Sequence, residues 1–136
     1  MISVDTSALI AIVGNEPMAS HCITVLEVPT EHFILSAGTL LEAQVVAARK
    51  GCRSGLDELL ASLPFSIIDV TAARAEIASS AYRQFGKGFH PAGLNFGDCF
   101  AYATAKEFGC PSCTSAKTSQ RRISSQRTPS PDHVII

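Results

Sequence analysis

Short apolar runs of the β type alternate with longer helical segments through the first 109 residues. The strand candidates are Ile2–Val4, Phe33–Leu35 and Phe65–Val70. Thr71 is placed to cap a helix through about Phe85, and Asn95 to cap one that ends before Gly109. Because strands that alternate with helices pair in parallel, we expect an α/β domain with three α/β/α layers and a central parallel sheet.

Composition limits where such a chain works. The 136 residues are 46% hydrophobic, which suits one compact domain with its own core. No apolar run approaches the roughly 20 residues of a membrane helix, and the first residues lack the basic start of a signal peptide. The five cysteines are odd in number and scattered, which is typical of reduced thiols. We therefore expect a cytoplasmic protein that does not associate with membranes.

The charge and texture of the chain change after residue 110. Residues 1–110 carry 7 Lys and Arg against 11 Asp and Glu, whereas residues 111–136 carry 4 against 1. The second segment holds 6 Ser, 3 Thr and 3 Pro, so it has little to bury. We expect a folded domain over 1–110 and an atypical, poorly ordered tail over 111–136. Since Pro111–Thr114 is a poor candidate for a core strand, we also expect the last strand to be degraded or missing.

Three carboxylates lie where a plain core would not place them. Asp5 directly follows the first strand, and ligands of open parallel sheets bind at the carboxyl ends of strands. Glu42 lies near an apolar flank of its helix, and Asp98 is in the first turn of another. Each also has an ordinary interpretation: a helix cap for Asp5, a solvated face for Glu42, and a partner of the helix dipole for Asp98. Gly97 beside Asp98 permits a close backbone approach.

Taken together, the three acids predict a cation site. Carboxylates about 4 Å apart repel one another by several kcal/mol at intermediate dielectric, unless a cation or a raised pKa relieves them. Oxygen-rich sites suit Mg²⁺ or Mn²⁺. Such ions activate water and stabilise the leaving oxygen of a phosphodiester.

Three stretches carry a resemblance to a known family. Val4–Ile12 and Leu35–Ala43 resemble the corresponding motifs of PIN domains, and Arg83–Ala103 resembles one bacterial VapC group almost residue for residue. The resemblance implies a Mg²⁺- or Mn²⁺-dependent endoribonuclease. It also implies the toxin half of a type II toxin–antitoxin pair, with an RNA substrate, a cognate VapB-like antitoxin and a homodimeric state.

The resemblance also assigns roles by position. It implies three catalytic metal ligands (Asp5, Glu42, Asp98), two supporting polar groups (Thr6, Asn95) and three RNA contacts (Arg83, Lys87, His90). His90 has an equally good alternative role in ordering its loop.

The resemblance stops after Gly109. Related chains continue with an apolar strand and a motif that brings a fourth acid to the metal site, whereas here no acid follows until Asp132. Codons permitted for Ser112–Gln126, read one frame over, can spell such an ending, which suggests a frameshift in the gene. Cys110 and Cys113 then form an accidental redox-like pair, and the basic run Arg121–Arg127 attracts phosphate only non-specifically.

Losing the fourth acid predicts weaker metal binding, and losing the strand predicts lower stability. The alternative function is a decayed toxin that still captures antitoxin but has little or no nuclease activity. A further alternative is a DNA-directed flap or repair nuclease, which the small size and the VapC-like loop disfavour.

Overall fold

A computed structural model describes residues 1–115, which form ten elements of regular structure. In chain order these are β1 (Ile2–Val4), α1 (Thr6–Val13), α2 (Ala19–Leu26), β2 (Phe33–Ser36), α3 (Ala37–Lys50), α4 (Arg53–Ser62), β3 (Phe65–Ile68), α5 (Ala72–Phe85), α6 (Phe96–Phe108) and β4 (Ser112–Cys113). Of the tail expected over 111–136, residues 116–136, with the basic run and Asp132, lie outside the described residues.

The four strands form one parallel sheet in the order β3-β2-β1-β4. Successive side chains of β1 point to opposite faces. Ile2 and Val4 join a core cluster with residues of α1, α2 and α4, while Ser3 donates a hydrogen bond from Oγ to the carbonyl of Ala101 in α6 at 3.4 Å. Helices therefore cover both faces of the sheet, and the predicted α/β architecture is confirmed.

The last strand is present but short. Ser112 and Cys113 pair in parallel with Ser3 and Val4, so the strand is degraded and not missing. The judgement that this segment is a poor core strand was wrong, because both residues are buried at 7% and 1% exposure. Their small side chains fit beside the equally small Ser3, so a tight edge forms without large apolar residues.

Local capping sets the helix ends that position the site. Ser36 accepts a hydrogen bond from the backbone N–H of Gly38 and begins α3, which ends at Gly51 with φ +72°. Thr71 caps α5 as predicted. Asn95 caps α6 as predicted, and Gly109 ends that helix with φ +60°.

Within residues 1–115, no helix is long and apolar enough to cross a membrane. All five cysteines are free thiols.

Candidate active site

The carboxyl end of β1 opens into a cleft of about 270 Å³ that collects the predicted site residues. Asp5, Glu42 and Asp98 all line it, and so do Thr6 and Asn95. Asp5 comes from the end of β1, Glu42 from the second turn of α3, and Asp98 from the first turn of α6. Residues far apart in sequence thus share one polar cavity.

Asp5 is the most buried of the three acids, at 3% exposure. It is the N-cap of α1, because its Oδ2 accepts a hydrogen bond from the backbone N–H of Ser7 at 3.1 Å. The Ser7 hydroxyl also donates to Oδ2, at 2.6 Å. The other oxygen, Oδ1, is buried without a hydrogen-bond partner among the described residues. The cap therefore occupies only one oxygen of the Asp5 carboxylate.

Glu42 is held against the backbone of α6. The Thr6 hydroxyl donates to Glu42 Oε2 at 2.6 Å, which fixes one carboxylate oxygen. A Cβ atom at Gly97 would collide with the carboxylate carbon and both oxygens of Glu42. The glycine beside Asp98 thus gives the Glu42 carboxylate room to approach the start of α6.

Asp98 combines a capping role with an unusual ionisation. Asn95 Oδ1 accepts from the Asp98 backbone N–H, and Asp98 Oδ2 accepts from the Asn95 N–H, both at 2.8 Å. Burial is the main cause that raises the pKa of Asp98 to about 6, and the charges of Asp5 and Glu42 also raise it, against the lowering effect of the Asn95 N–H. The three acids therefore interact electrostatically.

The donor set fits a hard divalent cation. It consists of carboxylates and hydroxyls, and the unpartnered Oδ1 of Asp5 is an oxygen that a cation would satisfy. Within residues 1–115, no three His, Cys, Asp or Glu side chains stand close enough to chelate an ion as they are.

The three expected RNA contacts lie elsewhere. Arg83 and Lys87 are exposed at the end of α5 and in the loop that follows, and neither they nor His90 line the cleft. His90 Nδ1 accepts a hydrogen bond from the backbone N–H of Ala92 at 3.0 Å, and its ring meets the ring of Phe85 edge-on. These contacts support the loop-ordering alternative for His90.

Sequence reasoning missed four polar residues of the cleft. Lys50 and Glu16 form an ion pair at 2.6 Å between Nζ and Oε1 on its rim, and Ser7 and Ser115 also line it. Ser7 could have been recognised, because it lies three residues after the end of β1. The other three reach the cleft through tertiary packing, which leaves no local signal.

Comparison with known proteins places the chain in a family. Residues 2–124 match the PIN domain. Ribonuclease VapC30 of Mycobacterium tuberculosis is 41% identical over 110 residues, which cover 79% of this chain and 84% of the relative. A ribonuclease VapC of Mycolicibacterium smegmatis is also 41% identical over 110 residues, covering 79% and 85%.

Solved structures agree on the fold. The crystal structure of VapC20 of Mycobacterium tuberculosis, described as a toxin that cleaves the sarcin–ricin loop, has a TM-score of 0.72 at 16% identity and covers 90% of this chain and 95% of its own. A toxin–antitoxin complex from Klebsiella pneumoniae has a TM-score of 0.64 at 20% identity, covering 85% and 87%. With a family match over most of the chain and relatives above 40% identity, this chain belongs to the PIN-domain family, in its VapC group.

Proposed function

We propose that the chain is a metal-dependent endoribonuclease, the toxin component of a VapBC-type toxin–antitoxin system. The observation that carries the proposal is the meeting of Asp5, Glu42 and Asp98 in one cleft, with a buried, unpartnered oxygen on Asp5. The names of the relatives, all ribonucleases, support the same activity.

The residues of the cleft have distinct tasks in this proposal. Asp5, Glu42 and Asp98 would hold Mg²⁺ or Mn²⁺, which supplies a Lewis acid that polarises a phosphodiester and its attacking water. Thr6 orients Glu42 through its hydroxyl, and Asn95 orients Asp98 through the reciprocal cap. These hydrogen bonds fix one oxygen of Glu42 and one oxygen of Asp98 at the cleft.

Digestion of RNA and of single-stranded and branched DNA, with Mg²⁺, with Mn²⁺ and with EDTA, tests the activity. Asp5→Asn and Asp98→Asn should abolish RNA cleavage. Asp57→Asn, which removes an exposed acid of α4 paired with Arg53, should leave it intact. Cleavage that survives EDTA or Asp5→Asn would overturn the proposal, and cleavage of DNA in preference to RNA would favour a flap or repair nuclease.

The second part of the proposal is a VapB-like antitoxin partner, acting with the toxin in the cytoplasm. The solved toxin–antitoxin complex of the same fold supports it. Induction of the wild-type chain should arrest growth, and co-expression of the small protein encoded beside it should restore growth. A chain that binds this protein without arresting growth would instead be the decayed toxin, an alternative that the ribonuclease relatives do not favour.

Arg83 and Lys87 are proposed as phosphate contacts because they are exposed and cationic on the α5 end and its loop. The double replacement Arg83→Ala, Lys87→Ala should weaken RNA binding and flatten its dependence on salt. Arg53→Ala, which removes an exposed cation paired with Asp57, is the matched control. If the double replacement and Arg53→Ala weaken RNA binding equally, Arg83 and Lys87 are not specific phosphate contacts.

The third part is a homodimer, supported by an apolar surface that the described residues leave uncovered. Leu41 and Val45 project from α3 at 63% and 50% exposure. They lie three and seven residues after Gly38, which contacts the Phe100 ring, and Phe96 packs edge-on against that ring at 78% exposure. We call Leu41, Val45, Phe96 and Phe100 the α3–α6 patch, and propose that two copies meet there.

A further inference from the structure

The residues that follow β4 reach back to the cleft through Ser7. The Ser7 and Thr114 hydroxyl oxygens are 2.8 Å apart, and the Ser115 backbone N–H donates to Ser7 Oγ at 3.1 Å. Thr114 Oγ1 also lies 3.5 Å from Asp5 Oδ2. The segment in which the resemblance to the family stops thus contacts the most buried acid of the site.

The direction of the hydrogen bonds follows from counting protons. Ser7 has one hydroxyl proton, and it donates that proton to Asp5 Oδ2 at 2.6 Å, a distance typical of a charge-assisted bond. In the contact between Ser7 and Thr114 at 2.8 Å the donor is therefore Thr114, whose longer contact of 3.5 Å with Asp5 Oδ2 competes for the same proton. The result is a chain of donors from Thr114 to Ser7 to Asp5, in which each bond polarises the next.

This series of hydrogen bonds has a clear consequence for Asp5. Its Oδ2 accepts from the backbone and the hydroxyl of Ser7, while its Oδ1 is buried and has no hydrogen-bond partner within residues 1–115. The backbone of Asp5 is fixed from the same side, because its N–H donates to the Cys113 carbonyl at 2.9 Å. The carboxylate thus has one oxygen held by the protein and one available to a ligand.

We propose that Ser7 and Thr114 are positioning residues that hold Asp5 ready for the divalent ion. The inference rests on the proposed function. It gives Thr114, in the segment where the resemblance to the family stops, a role at the site, because its hydroxyl helps to orient Asp5 through Ser7. Partners in such outer positions typically change metal affinity by about 10- to 100-fold when they are removed.

Full-length variants test the role of each hydroxyl. Thr114→Val keeps the shape of the side chain and removes the hydroxyl, whereas Thr114→Ser keeps the hydroxyl. Ser7→Ala removes the hydroxyl that links Thr114 to Asp5. Thr24→Val is the matched control, since Thr24 donates only to the Ser20 carbonyl within α2. Free Mn²⁺ is measured by electron paramagnetic resonance, and RNA cleavage is followed as a function of Mn²⁺ concentration.

Thr114→Val should weaken Mn²⁺ binding about tenfold, with kcat recovered at saturating Mn²⁺. Thr114→Ser and Thr24→Val should bind Mn²⁺ as tightly as the wild type does. Ser7→Ala should lose at least as much Mn²⁺ affinity as Thr114→Val. In the Ser7→Ala background, adding Thr114→Val should have a smaller effect than in the wild type, because only the 3.5 Å contact between Thr114 and Asp5 is left to lose. A purely structural role would instead make the two losses add.

Unchanged Mn²⁺ binding in Thr114→Val, or equal losses in Thr114→Val and Thr114→Ser, would overturn the inference alone. Should Thr114→Val fail to fold, Ser7→Ala decides, with a loss of affinity supporting the inference and wild-type affinity overturning it. A wild-type chain that binds no Mn²⁺, or an Asp5→Asn chain that binds it normally, would overturn the proposed function and this inference with it.

Discussion

At the scale of single residues, the cleft depends on the absence of a side chain at position 97. Alanine favours helices over glycine by about 1 kcal/mol, so Gly97→Ala would ordinarily stabilise α6. Here the new Cβ would meet the Glu42 carboxylate. We expect Gly97→Ala to displace Glu42, to weaken Mn²⁺ binding and to lower RNA cleavage at least tenfold. A loss of about this size is typical when a residue that supports a metal ligand is replaced.

Gly55 is the matched control for Gly97. A Cβ atom there would lie 3.7 Å from the Val13 Cβ atom, an ordinary van der Waals contact between α4 and α1. Gly55→Ala should keep full activity and raise the free energy of unfolding by about 0.5–1 kcal/mol. If Gly97→Ala and Gly55→Ala behave alike in Mn²⁺ titrations and urea unfolding, the packing of Glu42 on α6 is not needed for Mn²⁺ binding.

Asp98 makes the stability of the metal-free protein depend on pH. Its pKa of about 6 in the folded state lies above the ordinary value of 3.8, chiefly because of burial. The stabilising contribution of the protonated form is complete below about pH 3.8 and is lost as the pH rises through about 6. At pH 7 the metal-free protein therefore carries the full cost of the charged carboxylate.

Asp98→Asn should remove that cost while keeping an oxygen that accepts the Asn95 N–H. In EDTA at pH 7 we expect it to raise the free energy of unfolding by about 1–2 kcal/mol, a value reduced because the side chain is partly exposed to solvent. At pH 4 it should have little effect. Urea unfolding at both pH values measures the difference, and Asp57→Asn serves as the control. A destabilised Asp98→Asn at pH 7 would refute the assignment.

At the scale of elements, β4 can be tested through its own thiol. Burial is the main cause that raises the pKa of Cys113 to about 12, whereas Cys110, three residues earlier, is only half-buried. Iodoacetamide at pH 8 should therefore label Cys52 and Cys110 well before Cys22, Cys99 and Cys113 in the native protein, as mass spectrometry of peptides would show. All five should react in urea. Equal rates at Cys110 and Cys113 would mean that β4 is not packed against β1.

The same element shows which parts of the molecule could be predicted from the sequence. The caps at Thr71 and Asn95 and the strand Ile2–Val4 are set by neighbours within a few residues, so local patterns were sufficient. β4 depends on the small Ser3 side chain more than a hundred residues away, and its own residues have no apolar pattern. Asp5 was found because it follows a strand end, Asp98 because it begins a helix, and Glu42 because it lies near an apolar flank of its helix. Which oxygen of Asp5 lacks a hydrogen-bond partner among residues 1–115 is decided by tertiary contacts.

At the scale of the whole molecule, the α3–α6 patch predicts the oligomeric state. A two-fold interface brings the same surface of both subunits together, so one substitution places two new charges opposite each other. Sedimentation equilibrium should give the wild-type chain twice its 14.4 kDa mass. Val45→Lys should give the mass of the monomer, because burying two ammonium groups in the interface costs more free energy than the apolar contact contributes. Val28→Lys, at a position 38% exposed outside the patch, should stay dimeric. A monomeric wild type, or a dimeric Val45→Lys, would show that the patch does not join two copies.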